Sequence, residues 1–307
     1  MQRRQFIAAF SGLLCATAVG EVLTTQPPTG PTTSKDGQAR WGAALAALEA
    51  QSGGRLGVAV LDLESGQTLG WRADERFAMC STFKFLLGAA VLARVDRHEE
   101  TLARAIPVTE KDLLRYAPFS KTRIGATATV AELCEAMLTL SDNTAANLLL
   151  ASVGGPGKVT RFVRAHGDAT TRLDRYEPAL NDSSKVDDDP RDTTTPKAMI
   201  ATMRQILVGD VLSDASRKQL IDWMTACKTG DNRLRAGLPM GWKVGDKTGT
   251  GDGGTANDIA IIWPNRGTPI LVTSYLTHAK LSDAECDRTL AKVGAEVVKA
   301  LAAYNGV

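Results

Sequence analysis

Ser81 and Lys84 stand three residues apart at the head of an apolar run, "MCSTFKFLLGAAVLA", Met79 to Ala93. A lysine in such a run is a liability, because taking an ammonium out of water is costly unless a partner compensates or the proton leaves. If Ser81 opens a helix, Lys84 lies one turn on along the same side, so its amine can approach the hydroxyl. The helix N-terminus also favours negative charge developing nearby. The same spacing equally describes a helix cap followed by a lysine that reaches out to solvent.

Three other stretches carry groups of similar promise. Ser141-Asp142-Asn143 falls where one helical pattern ends and the apolar "TAANLLLASVGG" begins; alone it reads as a polar interhelix turn. Lys247-Thr248-Gly249-Thr250-Gly251 ends a strand pattern and alone reads as a strand-to-turn segment with an exposed lysine. "RLDRYEPALN", Arg172 to Asn181, offers Glu177 and, four residues on, Asn181. A glutamate carboxylate is ordinarily ionised at neutral pH and can take a proton from water.

Other chemistries find little support. His98, His166 and His278 lie apart from one another and from any cysteine pair, which argues against a zinc site and leaves no histidine for a Ser-His-Asp triad. Leaving out Cys15, the cysteines Cys80, Cys134, Cys227 and Cys286 are too widely spaced for a metal pattern or a small disulfide framework. A formal charge of +2, which Arg3 and Arg4 account for, gives little basis for binding nucleic acid or an acidic membrane.

The elements that must position these residues follow from pattern. Residues 1–18, "MQRRQFIAAFSGLLCATA", have the charged, apolar and small-residue parts of a signal peptide, with Arg3-Arg4 suggesting twin-arginine export. The Pro/Thr-rich residues 19–38 read as a flexible linker. A helix over Trp41 to Ala50 is stopped by Gly53-Gly54 and followed by two strands that turn at Ser65-Gly66. From Ser81 to Lys228 the pattern is helical, with a capping box at Thr129 to Glu132, Pro196 at a first helical position and Ser213 at a cap. Three strands then precede a helix from about Ser282 to Tyr304. The expected fold is α/β of the α+β type. An antiparallel sheet of about five strands, built from both chain ends (39–80 and about 229–307) and flanked by helices, receives an all-helical insert (about 81–228).

Taken together, in this order and with these elements around them, the motifs resemble those of the class A serine beta-lactamases and the penicillin-recognising peptidases of the same fold. The resemblance runs from about Trp41 to the C-terminus, and the Glu177 stretch is similar to the omega loop of the class A enzymes. It implies a cofactor-free, metal-free hydrolase, conferring antibiotic resistance, that opens the beta-lactam amide through an acyl-serine at Ser81. It further implies Glu177 as base for the deacylating water, which Asn181 helps to hold, and Ser141 as proton relay to the leaving nitrogen. Either neutral Lys84 or Glu177 would serve as acylation base, with crowding by Lys247 expected to depress the Lys84 pKa. Backbone N–H groups of Ser81 and Thr250 would form the oxyanion hole. Lys247, Thr248 and Thr250 would bind the substrate carboxylate and Asn143 its acylamino group, with Arg233 and Tyr116 as further cleft positions. Arg233 is otherwise a surface arginine and Tyr116 a packing residue.

Arg175 and Asp192 match the ion pair that closes the omega loop, a structural role. The loop between them, "NDSSKVDDDPRD", runs longer than the family pattern and carries three adjacent aspartates. Beta-lactams and a catalytic water are the expected partners, with no nucleic acid, no membrane after leader removal, a monomeric state, and a periplasmic or secreted location. A DD-peptidase and a beta-lactam sensor that is acylated but not turned over are the rival readings; Glu177 and Asn181 argue against both. The positions matching family disulfide partners of Cys80 and Cys134 hold Gly251 and Gly88, so both thiols are expected free. Titration of the denatured, unreduced protein should therefore detect free thiols, and finding none would refute the expectation that they are unpaired.

Overall fold

The computed structural model describes residues 35–184 and 188–305. The signal peptide, the linker up to residue 34, and residues 185–187 of the acidic loop lie outside the described residues. Helix α1 (Lys35–Ser52) leads into strands β1 (Arg55–Asp62), β2 (Thr68–Trp71) and β3 (Phe77–Ala78). A 3-10 turn at Cys80–Thr82 passes into α2 (Phe83–Asp96), then β4 (Ala105–Pro107), β5 (Thr127–Thr129), α3 (Val130–Thr139), α4 (Asn143–Val153) and α5 (Pro156–Ala165). After the omega loop come β6 (Thr193–Thr194), α6 (Pro196–Leu207), α7 (Asp214–Thr225), β7 (Lys243–Gly251), β8 (Thr255–Trp263), β9 (Ile270–Thr277) and α8 (Asp283–Asn305).

Five strands form one antiparallel sheet in the order β2-β1-β9-β8-β7. Both chain ends meet in it, since β1 pairs with β9 from Arg55↔Thr277 to Asp62↔Ile270. β1 is buried from Leu56 to Leu61, without the exposed alternate positions of a half-solvated strand, because helices cover both faces. Val58, Val60, Ala260 and Val272 face Trp41 and Leu45 of α1 and Leu290, Val293 and Val297 of α8. Ala59, Leu61, Ile259, Leu271 and Tyr275 belong to the second core, with Phe77, Phe83, Met199 and Met203. Each such side chain contributes about 1.5–3 kcal/mol when fully buried.

Helix α2 is apolar all round and buried from Phe83 to Ala93, as a helix must be when others enclose it. Helices α3, α4, α5 and α7 pack against it. The expected caps are present: Thr129 and Glu132 form the capping box, Pro196 follows the Thr195 cap, and Ser213 caps α7.

Three features depart from the sequence reading. Helix α1 begins at Lys35, inside the stretch whose composition suggests linker. The middle section is not purely helical, because β4 pairs with β5 and β3 with β6; these pairs are too short to show a period-2 pattern. Helix α6 packs on β9 and β1, so part of the middle section covers the sheet. Cys80, Cys134, Cys227 and Cys286 are all buried free thiols, in line with the expectation for the first two.

The turn Leu234–Gly237 lies flush on α8, where a Cβ at Gly237 would come 1.8 Å from the Ala291 carbonyl oxygen. This contact fixes the segment that carries Arg233. Gly237→Ala should destabilise the protein by about 1–3 kcal/mol through overpacking, read as a lowered thermal midpoint; an unchanged midpoint would refute the close approach.

Candidate active site

Ser81 occupies the 3-10 turn that opens α2, and the chain reaches it through Cys80 in a left-handed conformation (φ 44°). Such a conformation in a residue with a side chain is strained and must be held from outside. Asn257 Nδ2 on β8 donates to the carbonyls of Ala78 (2.9 Å) and Met79 (3.1 Å), and the Asp192 carbonyl accepts the Met79 N–H at 2.9 Å. β7 presses against the same turn. A Cβ at Gly249 would fall 2.8 Å from the Met79 oxygen, which explains the glycine after Lys247-Thr248.

Lys84 is fully buried on α2. Its ammonium donates to the Ser141 carbonyl (2.8 Å), Asn143 Oδ1 (2.6 Å) and Ser141 Oγ (3.3 Å), and lies 3.4 Å from Glu177 Oε1. Burial is the main force lowering its pKa, while the Glu177 carboxylate opposes it. Crowding by Lys247, the expected source of the depression, is not among the leading causes. Of the two bases left open by the sequence, the Ser81 hydroxyl donates to Glu177 Oε1, at 3.3 Å. The base in contact with the hydroxyl is the carboxylate.

Lys247 is also fully buried, which excludes the exposed-lysine alternative. Its ammonium donates to Ser141 Oγ at 3.1 Å and to the Thr248 carbonyl at 2.9 Å. Burial lowers its pKa to about 8, with Lys84 adding to the effect and Asp246 opposing it. Ser141 Oγ therefore accepts from two lysines, which occupies both lone pairs and leaves its proton free to be given away. Ser141 is itself in the left-handed region (φ 59°). Asp142 beside it is buried and accepts from Ala145 N, Phe119 N, Ser120 N and Ser120 Oγ. Asn143 N donates to the Tyr116 carbonyl at 3.0 Å, while the Tyr116 side chain is 51% exposed. Tyr116 is thus tied to the Ser141 turn by backbone and is not a packing residue.

Glu177 is buried although it comes from a loop. Asn181 Nδ2 donates to its Oε2 at 2.8 Å. The sequence reading missed Asn147, which holds the Glu177 backbone from both sides: its Nδ2 donates to the carbonyl (2.8 Å) and its Oδ1 accepts the N–H (3.0 Å). The signal was present, since Asn147 lies one helical turn beyond Asn143 and shares its face. Asn257 was equally open to detection as an amide inside a buried strand. The loop neck is closed by Arg175 Nε on Asp192 Oδ2 at 2.6 Å, and Asp192 Oδ1 accepts the N–H groups of Asp174 and Arg175.

Thr248 Oγ1 shares a 2.5 Å hydrogen bond with Thr229 Oγ1, and Thr250 Oγ1 accepts from Arg233 at 2.8 Å. Arg233 is buried, which excludes the surface alternative. It also donates to Asp287 Oδ1 (2.7 Å) and to the carbonyls of Gly249 (2.7 Å) and Asn257 (2.8 Å). The site therefore combines a hydroxyl on a carboxylate, a second hydroxyl between two ammonium groups, and a cationic strand edge. It can accept a proton from one serine and deliver one from another. Among the described residues no group of side chains could hold a metal ion, and no helix is long and apolar enough to cross a membrane.

Residues 41–301 match the model of the Beta-lactamase enzyme family. Beta-lactamase CTX-M-8 of Citrobacter amalonaticus is 48% identical over 83% of this chain and 86% of its own length. Beta-lactamase L2 of Stenotrophomonas maltophilia is 46% identical over 96% and 97% of the two chains. The solved structure of an ancestral class A beta-lactamase is 58% identical, covers 85% of this chain and 99% of its own, and superposes with a TM-score of 0.83. On these matches the chain belongs to the beta-lactamase enzyme family, in class A.

Proposed function

We propose that Ser81 is the nucleophile through which this class A enzyme hydrolyses the amide of beta-lactam antibiotics, the activity by which it confers resistance. The observation that carries the assignment is the hydrogen bond from the Ser81 hydroxyl to Glu177 Oε1 at 3.3 Å, with Lys84 Nζ 3.4 Å from the same oxygen. A hydroxyl with a base in contact is an activated nucleophile. The Ser81 proton leaves toward Glu177, and Lys84 stabilises the charge through the shared oxygen. The acyl-serine forms as the strained ring opens, and the backbone N–H groups of Ser81 and Thr250 receive the developing oxyanion. Ser141 gives its proton to the departing nitrogen and is resupplied by Lys84, which recovers a proton from Glu177 across their 3.4 Å contact, so that Glu177 is a carboxylate again before deacylation.

Deacylation needs a water and a base. Glu177 takes the proton of that water, Asn181 orients it, and Asn147 keeps the carboxylate in place. Lys247, Thr248 and Thr250 bind the substrate carboxylate, with Arg233 supporting Thr250, while Asn143 meets the acylamino group beside Tyr116. Arg175 and Asp192 hold the loop and take no part in the chemistry. We also infer export to the periplasm through the N-terminal leader and action as a monomer without a cofactor.

Multiple turnover of a chromogenic cephalosporin by purified protein tests the hydrolase reading; one stoichiometric burst would instead indicate a sensor. Glu177→Ala leaves Lys84 as a base for acylation but none for the water, so an acyl-enzyme visible by mass should accumulate, with turnover reduced by about 10²–10⁴-fold; unchanged steady-state hydrolysis would remove Glu177 from this role. Lys247 loses its proton as pH rises through about 8, so kcat/KM should decline there. Lys247→Arg, which stays charged, should abolish that limb, whereas a limb unaffected by the substitution would refute the assignment.

A further inference from the structure

An oxyanion hole needs two N–H groups aimed at one point, and here they come from separate elements. The Ser81 N–H belongs to the turn that opens α2, and the Thr250 N–H to β7 at the edge of the sheet. Neither element carries the other, so a third part of the fold must set the distance between them. Asn257 on β8 is bonded toward both.

Toward the turn, Asn257 acts through its side chain. Nδ2 donates to the carbonyls of Ala78 (2.9 Å) and Met79 (3.1 Å). Both partners are acceptors only, so the amide atom facing them is the nitrogen. The Met79 carbonyl also accepts Thr82 N–H (3.1 Å) and Thr82 Oγ1 (2.8 Å), which ties the same oxygen to the residue after Ser81. With the Met79–Cys80 peptide plane held in this way, the left-handed Cys80 (φ 44°) aims the next N–H, that of Ser81. Toward β7, Asn257 acts through its main chain. It is the ladder partner of Gly249, and Arg233 Nη1 donates to the carbonyls of Gly249 (2.7 Å) and Asn257 (2.8 Å) together. The Gly249 carbonyl and the Thr250 N–H are the two ends of one planar peptide, so holding the first aims the second. Arg233 Nη2 adds a bond to Thr250 Oγ1 at 2.8 Å.

This arrangement carries a cost. Asn257 is 1% exposed, and its Oδ1 has no hydrogen-bond partner. A buried acceptor left unpaired is destabilising, and an apolar side chain of the same size would spare that penalty. Stability alone therefore does not account for an amide at this position. We propose that Asn257 is the positioning residue of the oxyanion hole: its side chain sets the Ser81 N–H, and its main chain, through Gly249 and Arg233, sets the Thr250 N–H. One residue thus fixes the spacing of both donors. The proposal rests on the reading that these two N–H groups receive the oxyanion.

Infrared difference spectra of the trapped acyl-enzyme test it. In Glu177→Ala protein acylated by a cephalosporin isotope-labelled at the lactam carbonyl, an ester carbonyl seated between two N–H donors absorbs below the position of a free ester. Adding Asn257→Leu, which keeps the size of the side chain and removes both donors, should move that band upward or split it. With Glu177 intact, the same substitution should lower kcat by about 10–100-fold while KM changes far less, because the donors act on the transition state. Asn257→Ser, too short to reach both carbonyls, should show the same shift and gives the reading if the leucine variant does not fold. A free-ester band in the Glu177→Ala parent would overturn the oxyanion-hole reading and the proposal together. A low parent band that neither substitution moves would overturn the proposal alone and make Asn257 a structural residue, whatever its effect on the thermal midpoint.

Discussion

Two lysine ammonium groups, buried and directed at one serine hydroxyl, set the terms on which the rest of the molecule is arranged. Lys84 and Lys247 both reach Ser141 Oγ, and both are shut off from solvent. Desolvating either charge costs several kcal/mol, and each raises the cost of the other. The compensation is local and asymmetric. Lys84 has a carboxylate, an amide oxygen and a backbone carbonyl around it; Lys247 has a carbonyl and the field of Asp246. The pKa of each falls below the usual lysine range, that of Lys247 to about 8.

The folding of the segments around this pair follows from the need to keep it in place. Helix α2 carries Lys84 through the middle of the helical part because it is apolar on every side. β7 brings Lys247 in along the sheet edge and approaches the Ser81 turn as closely as Gly249 allows. The omega loop delivers the counter-charge, and since a loop lacks a ladder to hold it, side chains do so. Arg175 and Asp192 close its neck and Asn147 grips Glu177 by its own peptide groups. Loss of any of these holds would leave a buried ammonium without its partner, a far more costly outcome than loss of a surface contact.

Strain and polar burial are concentrated at the same place. Cys80, beside the Ser81 hydroxyl, and Ser141 take left-handed conformations that side chains disfavour. Asn257 and Asp142 counter that strain with hydrogen bonds to the turns involved. Polar burial recurs at Asp246 of β7 and Asp258 of β8, each with one oxygen that has no hydrogen-bond partner.

The groupings of the candidate site were largely legible in the sequence, because they reside in residue types at short spacings that local structure converts into shared faces. Ser81 with Lys84, Ser141 with Asn143, and Glu177 with Asn181 are each within about one helical or loop turn, and the caps and strand patterns around them mark their elements. The antiparallel sheet from both chain ends was legible for the same reason. What the sequence could not decide was which distant groups meet. That Ser81 donates to Glu177 rather than to Lys84, that burial rather than Lys247 lowers the Lys84 pKa, and that Arg233 is buried under Thr250 depend on contacts across many residues. So do the Asn147 clamp and the neighbouring orphan oxygens of Asp246 and Asp258. Hydrogen-bond partners and desolvation are properties of packing, and packing exists only once the helices, the sheet and the loop have closed on one another.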